Sequence, residues 1–132
     1  LVGTKRASTT LAEPSASGRR NRSVVAGRTS TMQRTQASSD RWFDVVLTND
    51  DAQAAVMTLD PGESTGGPDN YHADSDQWCY VVEGEGRATV DGRDVELAAG
   101  DLVLVEAGET HEIACTGERA LETLNLYVPP EY

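Results

Sequence analysis

From Trp42 onward, short apolar runs recur with a turn signal between each pair, and no segment carries a helical period. The runs cover residues 42–47, 54–59, 78–82, 87–90, 95–97, 102–105, 111–115 and 121–128. Between them stand Pro61-Gly62, Gly66-Gly67, Gly84, Asp91-Gly92, Gly100, Gly108 and Gly117. Many short strands at near-regular spacing, punctuated by glycine, specify an all-β sandwich or barrel. Val90-Asp91-Gly92-Arg93 is the sharpest local signal, because Asp-Gly supplies the positive φ angles of a type I′ hairpin turn.

Charge divides the chain where the pattern begins. Residues 1–31 hold six Lys or Arg against the single acid Glu13, a balance of +5. Residues 32–132 hold 21 acids against five Arg and no Lys, a balance of −16, and the two sum to −11. Residues 1–36 are rich in Ser, Thr and Arg and show no apolar periodicity, so they are expected to be disordered. No apolar stretch follows Arg19-Arg20, which argues against a secretory signal. A translation start at Met32 is the preferred explanation of the upstream segment, and the folded domain is expected over 37–132. Its acidic surface repels phosphate backbones, which excludes nucleic acid as a partner. With no lysine it also matches the solvated carboxylate surface of a halophilic protein. No apolar run approaches the ~20 residues that cross a bilayer, and a membrane role is not expected. Two cysteines without a C-x-x-C spacing fit a reducing cytoplasm better than a disulfide framework.

Strand alternation sorts the side chains. One face of 77–82 carries Gln77, Cys79 and Val81; the other carries Trp78, Tyr80 and Val82. Glu112 belongs in water, which turns His111, Ile113 and Cys115 inward. Two outward aromatics, Trp78 and Tyr80, point to a homodimer interface. Cys79 and Cys115 read as small core residues.

The stretch from Pro61 to Cys115 resembles the two sequence motifs of the cupin family. The first family motif runs Gly, five residues, His-x-His, three or four residues, Glu, six residues, Gly. Taking Gly84 as its closing glycine puts Gln77 at the Glu position, His72 at the second His and Asn70 at the first. The second family motif runs Gly, five residues, Pro-x-Gly, two residues, His, three residues, Asn. Gly100, Gly108 and His111 keep every spacing, with Glu106 in place of Pro and Cys115 in place of Asn. Ser64 stands where the first motif opens with Gly.

The resemblance implies a double-stranded β-helix, a jelly-roll barrel with one pocket. In the family, three His and one Glu hold a divalent metal there. Carried across, the metal candidates are Asn70, His72, Gln77 and His111, and two imidazoles suit Mn, Fe, Ni, Cu or Zn. Gln77 is neutral, which disfavours an oxygenase, whose iron usually sits on two His and one carboxylate. Asp74 and Asp76 are alternative carboxylates in the turn before Gln77. The implied ligand is a small molecule, a sugar or a small acid, acted on or simply bound. A non-catalytic binding or sensing module without metal is the alternative reading.

Overall fold

Apolar alternation places the strands, and glycines decide where the chain leaves one sheet for the other. The computed structural model describes residues 32–67 and 69–132. The expectations for residues 1–31 lie outside the described residues. Eight strands follow in order: β1 (Phe43–Thr48), β2 (Gln53–Leu59), β3 (Asp76–Glu83), β4 (Glu85–Val90), β5 (Arg93–Ala98), β6 (Leu102–Val105), β7 (His111–Cys115) and β8 (Leu121–Val128). They form a five-stranded sheet in the order β1-β2-β8-β3-β6 and a three-stranded sheet in the order β5-β4-β7. All pairings are antiparallel. Among the described residues, no helix is long and apolar enough to cross a membrane.

One residue, Gly84, separates β3 in the larger sheet from β4 in the smaller. Its φ of +96° is open to glycine, and a Cβ there would collide with the Ala120 carbonyl oxygen and approach Leu121 Cα to 2.9 Å. The inner faces then meet. Met57, Leu59, Cys79, Val81 and Leu121 from the five-stranded sheet pack against Ala88, Leu97, Ile113 and Cys115 from the three-stranded one. The alternation expected for β3 and β7 holds: Gln77, Cys79, Val81, His111, Ile113 and Cys115 are buried, whereas Trp78 and Tyr80 are exposed.

The segment between β2 and β3 belongs to no named strand, yet it runs along the free edge of β7. Gly62 N donates to Cys115 O, Cys115 N to Glu63 O, Thr65 N to Ile113 O and His111 N to Asn70 O. The Thr65 hydroxyl oxygen accepts from Ile113 N at 3.0 Å. This edge pairing brings His72 beside His111. The hairpin turn contributes as well: Asp91 and Gly92 have φ of +48° and +81°. The Asp91 carboxylate accepts from Thr110 N at 2.9 Å, which fixes the residue just before His111.

Candidate functional site

Three buried polar side chains converge at one end of the barrel. Gln77 points inward from β3, His111 opens β7 and His72 lies at the end of the edge segment, where its carbonyl accepts from Gly108 N at 2.8 Å. The two imidazole ring centres are 4.8 Å apart.

A directed chain of hydrogen bonds aims the Gln77 amide. It starts at the Met57 carbonyl, which can only accept, and the Thr123 hydroxyl donates to it at 3.1 Å. With its proton committed, Thr123 accepts from Asn125 Nδ2 at 2.9 Å. Asn125 must then present Oδ1 to Gln77, which donates from Nε2 at 2.9 Å. The remaining atom, Gln77 Oε1, stands 3.2 Å from His72 Nε2. Its lone pairs are thus held toward the site by groups that are almost wholly buried; Asn125 is 0% exposed. Inward alternation along β8, through Leu121, Thr123, Asn125 and Tyr127, supplies this support, and that polar pair is readable in the sequence once β8 is registered against β3.

His111 is differently placed. Its Nδ1 is buried, and among the described residues no group meets it with hydrogen-bond geometry. Burial lowers its pKa below the ordinary imidazole value, His72 beside it acts the same way, and the Glu109 backbone and side chain pull weakly in the other direction.

The chain after β8 turns back over the site. Ser75 donates its hydroxyl to Pro129 O at 2.7 Å. Gln53 grips Glu131 and Tyr132: its Oε1 accepts from Glu131 N at 3.2 Å and Tyr132 N at 2.8 Å, and its Nε2 donates to Tyr132 O at 2.7 Å. This places Glu131 Oε2 3.0 Å from His72 Nδ1. The Tyr132 ring centre lies 6.0 Å from that of His72, 5.2 Å from Tyr127 and 4.9 Å from Phe43. Burial raises the Tyr127 pKa far above the ordinary phenol value, with Tyr132 adding to it, so Tyr127 stays a neutral phenol.

The cavity measures ≈ 70 Å³ and is lined by His72, Gln77, His111, Tyr127 and Tyr132, with Asn70, Thr65, Phe43 and Met57 among the others. Pockets for drug-sized molecules run to about 300–1,000 Å³. Asn70 lies at the exposed rim, and its backbone carbonyl, rather than its side chain, holds His111. Asp76 is occupied elsewhere, accepting from Ala107 N at 2.9 Å, and Asp74 is exposed.

Among the described residues, no group of three His, Cys, Asp or Glu side chains is disposed to hold a metal ion. The donors that do converge are two imidazoles and an amide oxygen. One pair among them has a spacing compatible with a shared ion: two donors each about 2.1 Å from a metal lie about 3.0–3.4 Å apart between right and tetrahedral angles. The His72 Nε2 to Gln77 Oε1 separation of 3.2 Å falls in that range. Glu131 is the site residue that the sequence motifs miss. It lies outside both motifs, and the only sequence signal for it is an acid placed just after the Pro129-Pro130 pair that ends β8.

Two sheets folded into a double-stranded β-helix, with polar groups gathered at one end, define a cupin-type barrel. The family comparison agrees: the cupin domain model matches residues 55–127, and the chain belongs to the cupin family. A Thermotoga maritima oxalate-binding protein is 36% identical over 74 residues, which is 56% of this chain and 60% of that one. The tetracenomycin polyketide synthase protein TcmJ of Streptomyces glaucescens is 34% identical over 61 residues, 46% of this chain and 40% of that one. The chain therefore spans less than two thirds of the curated relatives it matches.

Among solved structures, a Bacillus halodurans protein superposes with a TM-score of 0.67 at 27% identity, over 71% of this chain and 74% of that one. A Thermotoga maritima protein described as a predicted oxalate decarboxylase superposes with a TM-score of 0.61 at 31% identity, over 67% of this chain and 79% of that one.

Proposed function

We propose that this cupin binds a small carboxylate anion at a divalent metal ion held by His72, Gln77 and His111, with Asn70 at the rim facing the ligand. The observation that carries this reading is the aimed amide: a buried relay from Met57 through Thr123 and Asn125 commits Gln77 Oε1 to the side where His72 Nε2 stands. Imidazole and amide donors suit Mn, Fe, Ni, Cu or Zn. All three are neutral, so the ion would keep its full charge toward the ligand, and that favours an anion. When bound, such an ion supplies Lewis acidity to a ligand oxygen. The protein contributes the rest. Tyr127 stays protonated, and Phe43, Met57 and Ile113 line the cavity with apolar surface.

Size and kinship support a short dicarboxylate over a sugar. A cavity of ≈ 70 Å³ holds only a few non-hydrogen atoms beside an ion. The names carried by the Thermotoga maritima matches, an oxalate-binding protein and a predicted oxalate decarboxylase, point the same way. The test is calorimetric titration of oxalate into manganese-loaded and metal-depleted protein. Binding that requires manganese and disappears in His111→Ala supports the proposal. Equal binding to the depleted protein would transfer the reading to a metal-free pocket.

The outer face of the larger sheet is read as the contact with a second copy of the chain. Trp78 stands opposite Leu104 and Leu126, and Tyr80 opposite Leu102. These five are each at least 38% exposed and form an apolar patch on an otherwise acidic domain. A patch of this kind in water marks an association surface, and a two-fold pairing would cover it with itself.

A further inference from the structure

His72 stands between two oxygen acceptors. Glu131 Oε2 is 3.0 Å from Nδ1, and Gln77 Oε1 is 3.2 Å from Nε2. A neutral imidazole has one N–H to give. The Gln77 oxygen cannot turn away, because its amide is committed through Asn125 and Thr123. An imidazolium would donate to both oxygens, so it is in the neutral form that they compete for one proton. A carboxylate is the stronger acceptor, since hydrogen bonds to an ionised group are about twice as strong as neutral ones. Nδ1 takes the proton, and the Nε2 lone pair is left facing the lone pairs of Gln77 Oε1. That confrontation is unfavourable until a cation sits between the two atoms.

We infer that Glu131 is the positioning carboxylate of this site: it fixes the Nδ1–H tautomer of His72 and so presents Nε2, with Gln77 Oε1, as a ready pair of donors. The inference rests on the metal reading above for its purpose, though not for its geometry. Glu131 itself stays outside the coordinating set. Its delivery is built into the fold. Gln53 holds the backbone of Glu131 and Tyr132 through three hydrogen bonds, and Ser75 holds Pro129. The Tyr132 ring packs on Phe43 and beside Tyr127, which keeps the segment over His72. At 26% side-chain exposure Glu131 is partly screened from water, while His72 is buried at 8%.

The experiment reads the tautomer directly. Long-range ¹⁵N–¹H spectra of metal-depleted protein, recorded at pH ~8.5 above the ordinary imidazole range, report which nitrogen of His72 carries the proton. Wild type is expected to show protonated Nδ1. In Glu131→Ala the proton should move to Nε2, where Gln77 accepts it. In Glu131→Gln, two amide oxygens compete and a mixture of tautomers should appear. Zinc titration of the same three proteins should weaken in the same order, with Glu131→Ala losing about 10–100-fold, the range typical of partners that orient a ligating His.

Glu131→Gln keeps the shape of the segment and guards against a variant that merely loosens it. A proton on Nε2 in wild type, or a tautomer unchanged by Glu131→Ala, would overturn the inference. If wild type takes up none of Mn, Fe, Ni, Cu or Zn, the metal reading fails, and the tautomer order still decides the role of Glu131.

Discussion

Replacing Asn125 by Asp breaks the Thr123 end of the relay that leads to Gln77 while changing a single atom of the side chain. The buried amide now donates to Thr123 at 2.9 Å and accepts from Gln77 at 2.9 Å. A carboxylate keeps the second bond and loses the first. The Thr123 hydroxyl must then turn to the carboxylate and abandon Met57 O, or two oxygens must face each other. One lost hydrogen bond is worth about 0.5–1.5 kcal/mol, and a buried charge without a cationic partner adds more than the 1–3 kcal/mol of an unsatisfied neutral group. Protonation sets a ceiling: from an unfolded pKa near 3.9, holding the introduced carboxyl neutral at pH 7 costs about 4 kcal/mol. The expected loss at pH 7 is therefore about 2–4 kcal/mol. For a domain of this size it should appear as a fall of roughly 10–30 °C in Tm.

The pH dependence gives the sign. Burial raises the folded pKa of the introduced carboxyl above its unfolded value. The deficit should be fully developed above the folded pKa and shrink as pH falls through it toward about 4. Calorimetric melting of wild type and Asn125→Asp at several pH values measures this. A variant that melts within about 2 °C of wild type at pH 7 would mean that the Asn125–Thr123–Met57 bonds do not fix the direction of the buried amide.

Gly84→Ala should cost at least about 2 kcal/mol by urea unfolding, because the new Cβ meets Ala120 and the φ is positive. Gly100→Ala, at φ +97° with open space around it, should cost only about 1 kcal/mol. Burial pushes the Cys79 thiol up to about 12, with Thr123 pulling weakly the other way, so it should resist a thiol-specific disulfide reagent at pH 8 until the protein unfolds. The same shift removes stability as pH rises from about 9 toward 12, and Cys79→Ala should flatten part of that alkaline slope. Light scattering in molar KCl should report a dimer that Trp78→Glu splits. A monomeric wild type would refute the interface. Thermal midpoints should rise between low salt and 1 M KCl, where the Debye length shrinks to ~3 Å, and a flat or falling trend would refute the halophilic reading.

Much of the barrel was legible because its information is local. Strand alternation separates Gln77 and His111 from Trp78 and Glu112, and Asp91-Gly92 announces its own turn. Three of the expected runs, 102–105, 111–115 and 121–128, coincide with β6, β7 and β8. Motif spacing brings His72, Gln77 and His111 together, because in this fold the positions of the site are tied to the glycines that turn the chain. What the sequence did not reveal is non-local. Gly62, Glu63, Thr65 and Asn70 show no strand alternation, since they bond to the edge of β7 largely through their backbone. Asn70 and His72 are two apart, yet one is exposed and the other buried, because the segment is not a regular strand there. Glu131 reaches His72 only through a backward turn of the chain held by Gln53, 78 residues earlier.

The neutral donor set separates this site from the His-rich, glutamate-bearing pattern that its motifs resemble, and it makes metal uptake the deciding property. Calorimetric titration of metal-depleted protein with Mn, Fe, Ni, Cu and Zn salts measures it. One ion per chain is expected for at least one of these metals, with uptake abolished in His72→Ala and in His111→Ala and binding tightened in Gln77→Glu. No uptake by the wild type, and none gained by Gln77→Glu, would contradict it.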